Sequence, residues 1–90
     1  MEQRRKNVVG EEIRKLRDAK GWTQELLAAR CAIGGYEISR GTLAKVEARI
    51  RGISDIELFV IAKALGTTIP ELFPKAFPAR LRLGAYSKQD

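Results

Sequence analysis

Apolar residues recur at helical spacing along most of this chain, in short runs separated by clear start and stop signals. Between Val8 and Lys20 they are Val9, Ile13 and Leu16, which a repeat of about 3.6 residues places on one face. Asn7 stands where it can cap that first helix, and Gly21 supplies a left-handed stop. A second helix opens at Thr23, an N-cap preceded by Trp22, which can staple onto Leu27. Its inward stripe is Leu27, Ala28 and Cys31, and Gly34-Gly35 end it.

Ser39 caps a third helix over Arg40 to Ala48. Ser54-Asp55-Ile56-Glu57 is a capping box, with Ile53 and Leu58 placed as its staple, and it starts a fourth helix through Ile61, Ala62 and Leu65 to Gly66. Thr68-Ile69-Pro70-Glu71 reads as a second box opening a short fifth helix around Leu72 and Phe73. Beyond it the pattern changes. Pro74 and Pro78 break helicity, and Arg80-Leu81-Arg82-Leu83 alternates like a strand. The pattern therefore divides the chain into a basic arm (1–7), a helical domain (8–74) and a C-terminal tail (75–90).

Composition removes whole classes of function. The 90 residues make one small domain, and 44% apolar content suffices for a compact core. With no histidine and one cysteine, a single chain cannot build the usual Cys/His zinc site or a Ser-His or Cys-His nucleophile pair. No paired Asp/Glu constellation stands out, so the chain is not expected to be an enzyme, and no cofactor or metal is expected. Cys31 lies four residues after Leu27 on the inward stripe and reads as a small buried filler in a protein of the reducing cytosol. No apolar run approaches the ~18 residues of a membrane span. The expected location is the cytoplasm, with no membrane partner.

Charge brings a polyanion forward. Seventeen Lys plus Arg against eleven Asp plus Glu leave a net charge of +6. Helix 3 carries the clearest signal. Stepping about 100° per residue puts Leu43, Val46 and Glu47 on one side, with Ile50 extending it, and Arg40, Gly41, Ala44, Lys45 and Ala48 on the other. The second face is small except for two long cations, the shape that a helix entering the major groove needs. Between Ile38 and Gly52 four cations (Arg40, Lys45, Arg49, Arg51) face one acid, Glu47. Cations on a helix face are also often simply solvated, and the wheel alone does not separate the two readings.

The ordered set Ile13-Arg14-Lys15-Leu16-Arg17, Gly21 to Ala28, Ser39 to Glu47 and Ile61 to Gly66, completed by Thr68 to Phe73, resembles the phage repressor and Cro-like (XRE-type) helix-turn-helix family. The resemblance implies an all-α, five-helix lambda-repressor-like DNA-binding domain with a short non-helical C-terminal tail. It implies that helices 2 and 3 read double-stranded DNA. Thr23 and Gln24 then meet phosphates at the start of helix 2, and Arg40, Gly41, Ala44 and Lys45 meet bases. Arg40 or Lys45 suits guanine, and Ala44 can pack on a thymine methyl. It also implies an ion pair between Arg17 and Glu47. The helical pattern alone makes Arg17 a surface cation, whereas Glu47 already lies on the inward half of its wheel.

The sequence departs from that family in two places. The segment Ala32 to Ile38 is longer than the usual turn between helices 2 and 3, and its paired glycines suggest an outward bulge. Tyr36 within it either covers the core or reaches a phosphate. After helix 3, where the family commonly has glycine, this chain has Ala48-Arg49-Ile50-Arg51-Gly52, which suggests a delayed turn with Arg49 and Arg51 facing DNA phosphates. Arg4, Arg5 and Lys6 could lie in a groove, as basic arms do, or remain solvated. Leu81 and Leu83 could add a strand to a second subunit, or belong to a loose tail. The function expected is a prokaryotic or phage-type transcriptional regulator acting in the cytoplasm at the nucleoid, as a homodimer on an inverted repeat. The alternative is an antitoxin-like or adaptor protein whose tail, Phe73 to Asp90, binds another protein, with DNA binding as autoregulation.

Overall fold

A computed structural model of the chain describes residues 5–75. Among these residues are four α-helices, α1 (Gly10–Ala19), α2 (Gln24–Ile33), α3 (Arg40–Glu47) and α4 (Asp55–Leu65), followed by a 3-10 helix at Ile69–Leu72. The described chain contains no strand. None of its helices is long and apolar enough to cross a membrane. The all-α class is as expected, but the fifth helix is a single 3-10 turn. Phe73, which precedes Pro74, is extended at ψ 150° and stops the element, and four residues are too few for an α-helical ladder. The second capping box does not form either. Thr68 makes no side-chain cap bond, and the Thr67 hydroxyl donates to the Glu71 carboxylate. Residues 1–4 of the arm and the strand-like Arg80 to Leu83 lie outside the described residues.

The inward stripes meet in one core made of Val9, Ile13, Leu27, Cys31, Ile38, Leu43, Val46, Ile61, Ala62, Leu65 and Leu72. Helix α2 packs on α3 and α4, while α1 packs on α3 and the 3-10 helix. Cys31 is fully buried, and burial pushes its thiol pKa up, which suits a filler and not a reactive group.

Three of the expected caps form. The Thr23, Ser39 and Ser54 hydroxyls accept from the backbone N–H of Leu26, Thr42 and Glu57, and at Ser54 the box is complete. Asn7 acts differently from a simple cap. Helix α1 begins at Gly10, and Asn7 Oδ1 accepts from the amides of Val9 (3.0 Å) and Gly10 (2.7 Å). Its Nδ2 donates to the carbonyls of Val46 (3.0 Å) and Arg51 (2.8 Å). One side chain thus ties the start of α1 to the end of α3. Gly10 permits that approach, because a Cβ there would stand 2.1 Å from the Val46 carbonyl oxygen.

The connection between α2 and α3 corrects two expectations. Ala32 and Ile33 are still helical, so the link is residues 34–39. It does not simply bulge outward. Gly34, Gly35 and Glu37 are exposed, but Ile38 is buried and Tyr36 packs against the core. Nor is the turn after α3 delayed to Gly52. Arg49 itself adopts φ 63°, with its N–H on the Val46 carbonyl and the Ile50 N–H on the Lys45 carbonyl. That reversal takes Ile50 off the inward face of α3, and it stands 44% exposed.

Candidate nucleic-acid interface

Helix α3 divides as its wheel demands. Leu43, Val46 and Glu47 are buried, Arg40, Gly41 and Lys45 are exposed, and Ala44 is half-buried at the boundary. Gly41 is informative because the fold gives no reason for it. A Cβ there would meet only the Ser39 hydroxyl, at 3.8 Å, and its φ is not left-handed. Its missing side chain leaves the exposed face of α3 low between Arg40 and Lys45.

Glu47 is turned inward and held at both oxygens. Arg17 Nε donates to Oε2 at 2.7 Å, Arg17 Nη2 to Oε1 at 2.8 Å, and Gln24 Nε2 to Oε1 at 3.0 Å. Arg17 Nη1 donates further to the Trp22 carbonyl at 2.7 Å. The Glu47 hydrogen bonds raise the Arg17 pKa above its ordinary value, outweighing desolvation. This network locks the N-terminus of α2, the end of α1 and the inward face of α3 together. Thr23, Gln24 and Arg40 line one open cleft with Arg17 and Glu25, where the N-termini of α2 and α3 approach each other. An amide NH2 has two donors, so Gln24 keeps one beyond the bond to Glu47.

The remaining cations are placed less simply. Arg49, folded back by its left-handed turn, lies 3.6 Å from Glu11. Arg51 forms a two-pronged pair with Glu57, both N–O distances being 3.0 Å. The Arg51 guanidinium in turn holds the Glu57 carboxyl below its usual value. Both arginines expected on phosphates therefore already have acidic partners. Among the described residues neither Arg40 nor Lys45 has an ion pair. Arg5 and Lys6 are exposed, and the Lys6 N–H donates to the Arg49 carbonyl at 3.0 Å, so the arm departs from beside the end of α3. Arg4 is outside the described residues. Sequence reasoning missed the Asn7 clamp, although Asn7 and Gly10 bracketing the start of α1 were its available signal. Among the described residues no group of three or more His, Cys, Asp or Glu side chains could hold a metal ion.

Residues 13–72 match a family model described as helix-turn-helix. Among solved structures, the chain is similar to the restriction-modification controller protein C.AhdI from Aeromonas hydrophila, at 34% identity and a TM-score of 0.65, over 72% of this chain and 91% of that one. It is also similar to a hypothetical transcription factor, NHTF, from Neisseria, at 29% identity and a TM-score of 0.65, over 87% of this chain and 80% of that one. No curated protein matches it.

Proposed function

The chain belongs to the helix-turn-helix family, and from that premise we propose that it is a DNA-binding transcriptional regulator that reads the major groove with α3. The observation that carries the reading is the exposed face of that helix. Arg40 and Lys45 flank a glycine that the fold does not require, while the one acid of α3 is withdrawn into a buried pair. A flat face with two long donors lets the backbone come close to base edges. The likeness to a restriction-modification controller and to a transcription factor supports the regulatory half of the reading.

In this role Arg40 and Lys45 seek guanine O6 and N7, Gly41 gives clearance, and Ala44 packs on a thymine methyl. Thr23 and the second Gln24 donor meet a phosphate where the N-terminus of α2 favours an anion. Arg49 and Arg51 stand beside the same backbone. They contribute there as oriented but partly neutralised cations, because each retains its acid. One such module reads few bases, so the protein acts as a homodimer on an inverted repeat with half-sites about one helical turn apart, roughly 34 Å. Its place of action is where the chromosome is, in the cytoplasm.

The test is fluorescence-anisotropy binding to genomic fragments, followed by the selected site and a scrambled duplex. Arg40→Ala and Lys45→Ala should narrow the gap between site and scramble, each by about 1–3 kcal/mol. Gln24→Ala should weaken both duplexes alike. Absence of DNA binding by the wild-type chain would overturn the reading. Equal losses on both duplexes for all three variants would mean that the faces are assigned wrongly.

A further inference from the structure

Helix α4 leaves an apolar face uncovered on the side away from the core. Ile56 and Phe59, one turn apart, are 55% and 54% exposed. Stepping about 100° per residue, Ile56, Phe59 and Lys63 fall within an arc of roughly 60°, opposite the inward residues Leu58, Ile61 and Leu65. Large apolar side chains clustered in this way on a small domain mark an interaction surface.

The charges around that face say what fits it. Asp55 and Lys63 are both exposed and lie four residues before and four residues after Phe59. Each is therefore about 6 Å along the helix axis from Phe59, in opposite directions. Turned by 180° about an axis through Phe59, the face presents Lys63 to Asp55 and Asp55 to Lys63, with Phe59 against its own copy. It is self-complementary, as a two-fold interface must be. The antiparallel arrangement also opposes the two helix dipoles favourably. Lys63 is already laid along the patch, its Nζ 5.8 Å from the centre of the Phe59 ring. The chain's own tail is a poorer occupant, because residues 76–90 contain two arginines and a lysine and no acid before Asp90.

We infer that two copies of this chain associate through antiparallel α4 helices, with Phe59 at the two-fold axis and Asp55 paired with Lys63 of the other copy. The inference rests on the reading of the protein as a homodimer, and it names the surface that the dimer uses. One eleven-residue helix per subunit makes a small interface, below the standard ~800 Å² per partner, so the dissociation constant without DNA belongs in the micromolar range or above.

Sedimentation equilibrium of the full chain without DNA, over a concentration series spanning that range, tests it. The wild type should be a monomer–dimer mixture, and Phe59→Glu should be monomeric with an unchanged circular dichroism spectrum. Asp55→Lys and Lys63→Asp should each weaken self-association at least about fivefold, because each brings like charges together. Mixed with one another, those two variants should form a heterodimer more tightly than either pairs with itself. A wild type that stays monomeric, or dimers that survive Phe59→Glu, would overturn the inference by showing that the face is covered otherwise. No heterodimer preference would overturn the antiparallel pairing. DNA binding by the wild type, measured separately, distinguishes failure of this interface from failure of the DNA-binding reading.

Discussion

Glu47 is the one acid on α3, and both of its carboxylate oxygens are consumed within the fold. A charge so placed specifies geometry more than it adds stability, yet removing one member strands the other. Glu47→Ala leaves the Arg17 guanidinium buried without its counter-charge, and the expected loss is about 3 kcal/mol or more in urea unfolding. Gln24→Ala removes only one neutral donor from the same carboxylate and should cost about 1 kcal/mol. An unchanged unfolding midpoint for Glu47→Ala would remove the pair from the account of the fold. Glu57 gives a second test at this scale, through pH. Its carboxyl is held below the ordinary value of 4.5, first by the Arg51 hydrogen bonds and then, against desolvation, by the Ser54 backbone. Folding therefore favours the ionised form. The resulting stability is complete above that ordinary value and disappears as the pH falls through the lower native one. Glu57→Gln should flatten the acid limb of a stability–pH profile below the ordinary value of 4.5, and an identical limb in the variant would refute the assignment.

At the scale of elements, all four α-helices end in the same way. A left-handed residue follows each: Gly21, Gly35, Arg49 and Gly66. In each case its N–H and the next N–H turn back onto carbonyls of the last helical turn, the paired bonds of a Schellman stop. Three of these positions are glycine, and those stops were legible in the sequence, as were the Thr23, Ser39 and Ser54 starts. Both signals are local: a hydroxyl or a missing Cβ at a fixed offset from a helical stripe. What was not legible depends on partners distant in sequence. Arg49 takes a conformation that costs an L-residue roughly 1–2 kcal/mol, held there by hydrogen bonds to Lys6 and Val46 and by Glu11 across the gap. The same limit hid Asn7, whose Nδ2 bonds reach residues 39 and 44 positions away. In the candidate site, the residues on the α3 faces followed from periodicity, whereas the acids facing Arg49 and Arg51 did not. Arg49→Gly exploits the motif. It keeps the turn, removes the strain and the guanidinium together, and should leave stability within about 0.5 kcal/mol of wild type, since glycine's unfolded-state entropy offsets the relief. Arg49→Val, β-branched at a positive φ, should cost about 2 kcal/mol. Thermal unfolding of the pair decides whether the turn or the charge is what residue 49 supplies.

At the scale of the whole molecule, the count of seventeen Lys and Arg residues overstates what the structured domain offers to DNA. Arg17, Arg49 and Arg51 are matched by Glu47, Glu11 and Glu57, and Arg14 and Lys15 lie within 4.0 Å of acids on their own helix. Among the described cations outside these pairs, Arg40 and Lys45 stand on α3 and Arg5 and Lys6 on the arm, with Arg4 before them in sequence, while Lys20, Arg30, Lys63 and Lys75 stand elsewhere. The dependence of DNA affinity on salt separates these contributions, because each neutralised phosphate adds about −0.9 to the log–log slope. If a dimer brings the α3 cations alone to the duplex, the charge of about four phosphates is neutralised, whether a cation ends on a base edge or a phosphate oxygen, and the slope is about −4. If the arms follow the groove as well, about ten are neutralised and it approaches −9. The Asn7 clamp and the Lys6 bond to Arg49 hold residues 6 and 7 beside the end of α3, and in the proposed DNA-binding reading the arm starts from that side. The wild type should therefore show the steep slope, and a variant with all three arm cations replaced by alanine the shallow one. A shallow slope in the wild type would take the arm out of the interface. A slope that stays steep in the triple variant would mean that Arg49 and Arg51 leave their acids to bind phosphate, and Arg49→Gly in that background would then lower it by about 2 per dimer.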